Sequence, residues 1–350
     1  MLGRIALWGP LLIAAILVGG YVYVHQPFAR DGTELVPVPL SEDDPALVRL
    51  GKVTYRGGLD IPRMGLNIGG LSALRWHAES GRLLALTDDA RFVWITPDEE
   101  AGRLVGITDI AVGDLLGLQG ERLNGKERGD SESLTRSAEG GWLVGFERDH
   151  RVWRYASLTS PAQPTAMEPS AFLGTPLEDN SGLETLAGDE TRLFACAERR
   201  SAALSPNCGV GAIGAPSRAL RALPTDLPSK QDAVPTDADQ LRADWFVVLF
   251  RSYTAQTGNR AAISAISSST GVQRPIAFLA PPLNVDNFEG LAVRNEGGRT
   301  FLYIVSDDNF SADQRTLLMK FELDPDALDP LLLGLDPAPS PPPSAPPAKE

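Results

Sequence analysis

The stretch NFEGLAVRNEGGRTFLYIVSDD at residues 287–308 is one of four variants of a single phrase. Each variant has an apolar run with one polar anchor near its start, then a turn, then a second apolar run that ends in charged residues. Short runs bounded by turn residues are typical of paired antiparallel strands, so each variant predicts a β-hairpin. The other variants are GGLSALRWHAESGRLLALTDD at 69–89, DSESLTRSAEGGWLVGFERD at 130–149 and NSGLETLAGDETRLFACAER at 180–199.

The polar anchors of the four variants, Ser72, Glu132, Glu184 and Glu289, are spaced at 60, 52 and 105 residues. Because 105 is close to twice 52, the spacing predicts a further copy near residue 237. The stretch PTDADQLRADWFVVLFRSY at residues 235–253 fills that place, with Asp237 lying 53 residues after Glu184 and 52 before Glu289. A fixed period of about 40 to 50 residues with short strands is the signature of a β-propeller, so we expect an all-β fold of five blades.

The repeat also suggests the domain boundaries. The blades account for residues 46–324, and a strand-like segment at 47–55 is expected to pair with the short last blade, which closes the ring and removes an open sheet edge. A sixth blade, built from the irregular 200–230 region and the termini, is left open. Residues 31–45 are interpreted as a linker and the proline-rich residues 325–350 as a disordered tail.

The net charge of the 350 residues is −13 at pH 7. A nucleic-acid partner needs a basic surface that displaces counterions, so this class of partner is excluded. An acidic surface favours the binding of cations, although the same charge also keeps a protein soluble, and both interpretations stay open.

Residues 5–24 are uncharged and mostly apolar, and as a helix they would just cross the ~30 Å hydrocarbon core of a membrane. Arg4 precedes them, and Tyr21 and Tyr23 fall where an aromatic belt is expected. Residues 1–30 therefore predict a transmembrane signal anchor that holds the propeller at the periplasmic face of the inner membrane. The alternative is a cleaved signal peptide, which would release the protein into the periplasm.

The chain has two cysteines, Cys196 and Cys208, which flank an irregular segment rich in Ser, Pro and Gly. In an exported domain such a pair can form a disulfide that closes the loop, and a buried reduced pair is the alternative. No histidine lies near them in the sequence, so we expect no zinc site there.

Equivalent residues of successive blades meet around the axis of a propeller, so the repeated polar positions are expected to line one funnel. The second apolar run of each unit ends at Asp88, Glu147, Glu198, Arg251 and Asp307 in turn. Clustered carboxylates repel unless protons, arginines or a metal neutralise them, and an oxygen-only cluster suits Ca²⁺. The predicted calcium ligands are Glu132, Glu184, Glu289, Asp88, Glu198 and Asp307.

Charged residues beside these acids complete the predicted site. Glu147, Arg148 and His150 are interpreted as catalytic residues, with His150 as a proton donor or phosphate ligand. Arg199 and Arg251 are interpreted as residues that bind an anionic group such as phosphate. The structural alternative is that the repeated acids accept hydrogen bonds from backbone N–H groups of the neighbouring blade.

The repeats, above all NFEGLAVRNEGGRTFLYIVSDDNFSADQRTLLMKFEL at residues 287–323, resemble the bacterial phytase-like family, also called the esterase-like activity of phytase family. The resemblance covers about residues 50–323. It implies a β-propeller, a distant relation to calcium-dependent propeller phytases, and hydrolase activity on a small phosphate or carboxylate ester. A non-catalytic propeller that serves as a binding platform in the cell envelope is the alternative, because a fold does not establish a reaction.

Overall fold

A computed structural model of the chain describes residues 35–62, 68–198, 207–222, 233–311 and 313–324, together with the backbone of two N-terminal strands. These two strands are β1 (Ile16–Val18) and β2 (Tyr21–Pro27). Three more strands precede the first repeat, namely β3 (Val36–Pro37), β4 (Arg49–Leu50) and β5 (Val53–Asp60).

The repeats form antiparallel sheets, and each of the first four blades pairs four successive strands in chain order. Blade 1 contains β6 (Leu71–His77), β7 (Arg82–Thr87), β8 (Arg91–Glu100) and β9 (Arg103–Asp114). Blade 2 contains β10 (Ser131–Arg136), β11 (Trp142–Phe146), β12 (Arg151–Tyr155) and β13 (Gln163–Pro164). Blade 3 contains β14 (Leu183–Asp189), β15 (Arg192–Ala197), β16 (Cys208–Gly211) and β17 (Arg218–Leu220).

Blade 4 contains β18 (Val234–Arg242), β19 (Trp245–Thr254), β20 (Gly258–Ser267) and β21 (Gln273–Leu279). Blade 5 contains β22 (Phe288–Glu296), β23 (Arg299–Ser306) and β24 (Leu317–Leu323). Two short helices, α1 (Lys126–Gly129) and α2 (Pro169–Leu173), lie in the connections that follow blades 1 and 2. The predicted all-β propeller of five blades is confirmed. The described residues form no sixth blade, since residues 207–222 supply the outer strands of blade 3.

Blade 5 lacks a fourth strand of its own, and β5 supplies it. The two strands pair antiparallel, with Val53 opposite Leu323 and Leu59 opposite Leu318. The predicted closure of the ring by an N-terminal strand therefore occurs, although the paired strand begins at Val53 and not at residue 47. β3 pairs with the far edge of β5, so the segment interpreted as a linker contributes a short strand.

Apolar side chains fill the junctions between neighbouring blades. Between blades 3 and 4, the buried rings of Phe194 and Phe246 stack at 5.0 Å. Between blades 4 and 5, Leu249 and Leu291 belong to one buried cluster. Burial of such a side chain stabilises the fold by about 1.5–3 kcal/mol. Middle strands such as β11, whose five residues are all buried, pack on both faces, and this explains the continuous apolar runs of the sequence.

The N-terminal strands fall within the segment where the sequence predicts a membrane-spanning helix. β2 pairs antiparallel with β9, with His25 opposite Ala111, and so extends blade 1. The β-branched and aromatic residues of this segment suit a strand, and the edge of β9 offers backbone partners. The predicted helix is therefore not supported here, and no helix in the described parts of the chain has the length and apolar character needed to cross a membrane. The predicted tail at 325–350 lies outside the described residues.

Cys196 and Cys208 are opposite each other on β15 and β16 and are joined by a disulfide, with Cα atoms 4.0 Å apart. Both residues are fully buried. Cys196 lies two residues before Glu198, a predicted calcium ligand. The disulfide therefore links β15, the strand that ends beside Glu198, to β16 in the same blade.

Candidate functional site

The inner strand of every blade begins with a β-bulge. In β14, Leu183 pairs with Ala197 and Thr185 with Cys196, which leaves Glu184 outside the ladder. A bulge breaks the regular alternation of side chains, and bulges are common next to functional sites. The bulged residues of the five inner strands are Ser72, Glu132, Glu184, Thr236 and Glu289.

Blade 4 departs from the predicted repeat at this position. The sequence predicts Asp237 as its polar anchor, whereas the bulge falls on Thr236 and Asp237 pairs regularly with Leu249. Because successive side chains of a strand face opposite ways, a shift of one residue takes Asp237 out of the funnel. The prediction that Asp237 joins the ring of anchors is therefore wrong.

The bulged glutamates and the ends of the second strands meet in one funnel with a volume of about 240 Å³. β7, β11, β15 and β23 each end one residue before an acid, and β19 places Arg251 beside them. The acids that line the funnel are Asp88, Asp130, Glu132, Glu147, Glu184, Glu198, Glu289 and Asp307, and the cations are Lys126, Arg148 and Arg251.

All six predicted calcium ligands line the funnel, as do Glu147 and Arg148, whereas Arg199 lies outside the described residues. His150 is not among the lining residues, and its Nε2 lies 2.9 Å from the carbonyl oxygen of Glu178. Arg148 adopts a left-handed backbone conformation, with φ of 61°, and the chain leaves the funnel after it. The structure therefore does not support a role for His150 as a proton donor in the funnel.

Sequence reasoning misses three polar residues of the funnel, Lys126, Asp130 and Asn180. Asp130 and Asn180 are the first residues of two repeat variants, so their position beside the polar anchors was a usable signal. Lys126 lies in α1, in a connection between blades for which the repeat has no equivalent, and periodicity alone could not find it.

Within the described part of the chain, two groups of three acids bring carboxylate oxygens within 4.8 Å of one another. The first contains Asp130, Glu132 and Glu147, and the second contains Glu147, Glu184 and Glu198. Glu147 therefore belongs to both groups. Oxygens at these separations can converge on a hard cation, because Ca²⁺ takes about six to eight oxygen ligands at about 2.3–2.6 Å.

Burial raises the pKa of both Glu132 and Glu184 well above the usual range, and neighbouring acids raise them further. Burial also raises the pKa of Glu289 to about 7, although Arg251 opposes this shift. The pKa of Asp307 is raised to about 6, again chiefly by burial. These carboxyl groups keep their protons to a pH at which an exposed carboxylate is ionised, and a bound cation would take the place of those protons.

Two cations of the funnel converge on Asp130. Lys126 Nζ lies 2.9 Å from Asp130 Oδ1, and Arg148 Nε lies 2.7 Å from Asp130 Oδ2. Because both oxygens of Asp130 are engaged, the second group of acids is the better candidate for a metal centre. In that group Glu147 Oε1 accepts a hydrogen bond of 2.9 Å from the N–H of Gly182, which holds the shared carboxylate in place.

Arg251 pairs with acids on another part of the wall. Its Nε lies 2.6 Å from Glu289 Oε1 and its Nη2 lies 3.5 Å from Glu198 Oε1. Among the described residues three cations face eight acids, so these cations cannot neutralise all of the acids. Such an arrangement can bind a divalent cation together with an anionic group that the metal and the basic side chains share.

The two hydroxyl residues at bulge positions make contacts between blades. Ser72 Oγ donates a hydrogen bond of 2.6 Å to the carbonyl oxygen of Ser131, and Thr236 Oγ1 donates one of 3.1 Å to that of Phe288. These hydroxyl groups therefore join blade 1 to blade 2 and blade 4 to blade 5.

A buried ion pair lies further along the inner strands, beyond the funnel. Arg75 Nη1 and Nη2 are each 2.9 Å from a carboxylate oxygen of Asp237. The same guanidinium donates to the carbonyl oxygens of Leu186 and Leu291, while the N–H groups of Leu74 and Leu291 donate to Asp237. This axial ion pair, Arg75 with Asp237, connects the inner strands of blades 1, 3, 4 and 5.

Comparison with solved structures finds proteins of low similarity. An α-L-arabinofuranosidase from Clostridium thermocellum is 12% identical, with 71% of this chain and 92% of that chain covered and a TM-score of 0.39. A thermostable family-43 glycoside hydrolase is 9% identical, with coverage of 72% and 89% and a TM-score of 0.43. The allergen Mala s 1 from Malassezia sympodialis is 12% identical, with coverage of 86% and 89% and a TM-score of 0.37. Scores this low carry no argument about activity.

No curated protein matches the chain. The family model for phytase-like proteins, described as esterase-like activity of phytase, matches residues 66–310. This range spans most of the five blades and all of the described residues that line the funnel. The chain therefore belongs to the phytase-like family, as its repeats suggest.

Proposed function

We propose that the chain is a metal-assisted hydrolase of small phosphate or carboxylate esters, with Ca²⁺ bound in the funnel. The observation that carries this proposal is the place of Glu147, whose carboxylate belongs to both groups of converging acids. The raised pKa values of Glu132 and Glu184 support it, because a divalent cation stabilises acids that resist ionisation alone. Since both oxygens of Asp130 are engaged, we assign the ion to Glu147, Glu184 and Glu198.

A calcium ion bound there would polarise the ester and lower the pKa of a bound water. Lys126 and Arg148, on the neighbouring wall, would bind the anionic oxygens of the substrate. Glu132, whose raised pKa keeps a proton on its carboxyl group, would protonate the leaving oxygen. Arg251 holds Glu289 and Glu198 in place through its ion pairs.

The alternative function is a non-catalytic binding platform of the cell envelope. It is favoured by the pairing of Lys126, Arg148 and Arg251 with acids of the funnel, which gives each cation a structural partner. In this case Ca²⁺ would hold the blades together and no ester would be turned over.

We further propose that the protein is exported to the periplasm, either held at the inner membrane by its N-terminal region or released by cleavage. The disulfide between Cys196 and Cys208 supports export, because such bonds persist in oxidising compartments. A reporter fused after Glu350 tests this proposal. A periplasm-dependent reporter should be active and a cytoplasm-dependent one silent, and fractionation then separates the tethered from the released form.

An assay of the purified protein against a panel of phosphate and carboxylate esters tests the hydrolase. We expect turnover of at least one ester that stops with chelator and returns with Ca²⁺. Glu184→Gln should lose this activity, whereas Glu139→Gln, at an exposed acid outside the funnel, should keep it. Calcium-dependent thermal stabilisation without turnover would support the binding platform. A Tm that ignores both Ca²⁺ and EDTA would refute the calcium site.

A further inference from the structure

An exposed aromatic side chain lies next to residues that line the otherwise polar funnel. Phe310 follows Asn309, which lines the funnel, and 41% of the Phe310 surface is exposed. Among the described residues that line the funnel, Leu71 alone has a large apolar side chain. An exposed aromatic ring beside eight acids is not explained by the binding of a metal ion.

The backbone that presents this ring is strained. Asn309 and Phe310 have φ angles of 46° and 51°, in the left-handed region that L side chains rarely adopt. Carboxylates hold both residues there, since the N–H of Asn309 donates to Asp307 Oδ1 at 2.8 Å and the N–H of Phe310 to Asp308 Oδ1 at 3.0 Å. Strain that the surrounding structure maintains is typical of functional sites, and here it places a bulky ring beside Gly69 and Gly70.

Two glycines leave room for the ring. A Cβ atom at Gly69 would lie 2.8 Å from Phe310 Cε1, and one at Gly70 would lie 3.1 Å from Phe310 Cε2. Gly70 itself lines the funnel, and a Cβ there would also lie 2.2 Å from Asp88 Oδ1. The ring therefore packs directly on the backbone of Gly70, on whose other side lies the funnel acid Asp88.

We propose that Phe310 is a specificity-determining residue that contacts the organic group of the substrate while its anionic group lies in the funnel. This inference rests on the proposed hydrolase function. It names the substrate class as esters in which a planar or apolar group is attached to the reacting phosphate or carboxylate. An aromatic contact of this kind strengthens binding about fivefold.

Binding of non-hydrolysable anions tests the proposal without requiring turnover. The affinities of phenylphosphonate and methylphosphonate, and of benzoate and acetate, are measured by calorimetry on the full chain with saturating Ca²⁺. We expect the phenyl compound of a pair to bind about fivefold more tightly than its methyl counterpart. Phe310→Gly should remove this difference, and Phe310→Tyr should retain it. Glycine is chosen because alanine would keep the backbone strain.

Val272→Ala is the control, since Val272 is 38% exposed in the turn before β21 and does not line the funnel. The phenyl preference of this variant should equal that of the unmodified chain. The role of Phe310 would be overturned if both members of each pair bound with equal affinity, or if Phe310→Gly kept the phenyl preference. Either result would leave the hydrolase proposal standing. Binding of no anion at all would overturn both. A large fall in the Tm of Phe310→Gly with loss of the Ca²⁺ response would identify the ring as a structural cover and also overturn the proposal.

Discussion

The funnel and the axial ion pair are built from the same inner strands, and in both burial raises the pKa of an acid, but the acids face different neighbours. In the axial pair, Arg75 contacts both oxygens of Asp237, and two backbone N–H groups also donate to this carboxylate. In the funnel, Glu132 and Glu184 lie among other acids, and their pKa values are raised by burial and by those neighbours. The axial acid is paired with a cation of the chain, whereas the described part of the funnel has more acids than cations.

This difference separates a structural acid from a ligand-binding one. A buried carboxylate with a cation and a full set of hydrogen bonds stabilises its surroundings only as long as both partners remain. A group of carboxylates with too few cations nearby destabilises the fold, because the acids repel one another. The same arrangement of oxygens can bind a metal ion, and this affinity would explain why the acids are clustered. We therefore expect substitutions in the two regions to affect stability with opposite signs.

The largest effect is expected at the axial ion pair. Arg75→Met leaves the Asp237 carboxylate buried without its cation and removes hydrogen bonds to inner strands, so the free energy of unfolding should fall by about 3–5 kcal/mol. Chemical denaturation measures the change. Arg49→Met is the matched control, because Arg49 pairs with Asp324 at 2.7 Å but is 60% exposed, and its loss should cost about 1 kcal/mol or less. Equal losses for the two variants would contradict the structural role of the axial pair.

The sequence predicts the propeller because its signal is periodic, and it predicts the funnel because equivalent positions of the blades meet at the axis. It places Asp237 wrongly because the PTDADQ stretch has acids at two alternate positions, and a bulge that shifts the register by one residue leaves no mark in the pattern. Lys126 was missed because it belongs to a single connection. The apolar N-terminal run is ambiguous, because a run of β-branched and aromatic residues satisfies a strand as well as a helix.

The next prediction concerns the pH dependence of the metal-free protein. The pKa of Glu289 is raised from 4.5 to about 7, so between these values the native state holds a proton that the unfolded chain has lost. Stability therefore falls as the pH rises through this window, by about 2–3 kcal/mol for this group, and is unaffected by it below the unfolded pKa. Denaturation in EDTA across the window measures the fall.

Two comparisons sharpen this test. Glu289→Gln should make the stability of the metal-free protein depend less on pH, and saturating Ca²⁺ should reduce the decline because the ion neutralises the ionised acids. If the free energy of unfolding of the metal-free protein rose with pH between 4.5 and about 7, the raised pKa of Glu289 would be contradicted.

Removal of one acid from the second group should stabilise the metal-free protein. Burial and the neighbouring Glu198 and Glu147 disfavour ionised Glu184, so the native state must hold a proton there that the unfolded chain loses at neutral pH. Glutamine needs no such proton, so the free energy of unfolding of Glu184→Gln at neutral pH should rise in EDTA. The same variant should lose the stabilisation by Ca²⁺ seen in the unmodified chain. Glu139→Gln, at an exposed acid, should change neither quantity. Destabilisation of the metal-free Glu184→Gln protein would show that this acid is structural, as Asp237 is.

The smallest expected change in stability concerns the two bulges that carry a hydroxyl residue, Ser72 and Thr236, where the other blades carry a glutamate. Ser72 and Thr236 occupy the same place in their blades as the glutamates, but each donates its hydroxyl hydrogen to a backbone carbonyl of the next inner strand. Ser72→Ala and Thr236→Ala should therefore each cost about 1 kcal/mol of stability, because each leaves one buried carbonyl without its donor. The shift of Tm with Ca²⁺ should stay the same in both variants, since neither hydroxyl belongs to the groups of converging acids. A reduced Ca²⁺ shift in Ser72→Ala alone would place its oxygen among the ligands and would extend the calcium site into blade 1.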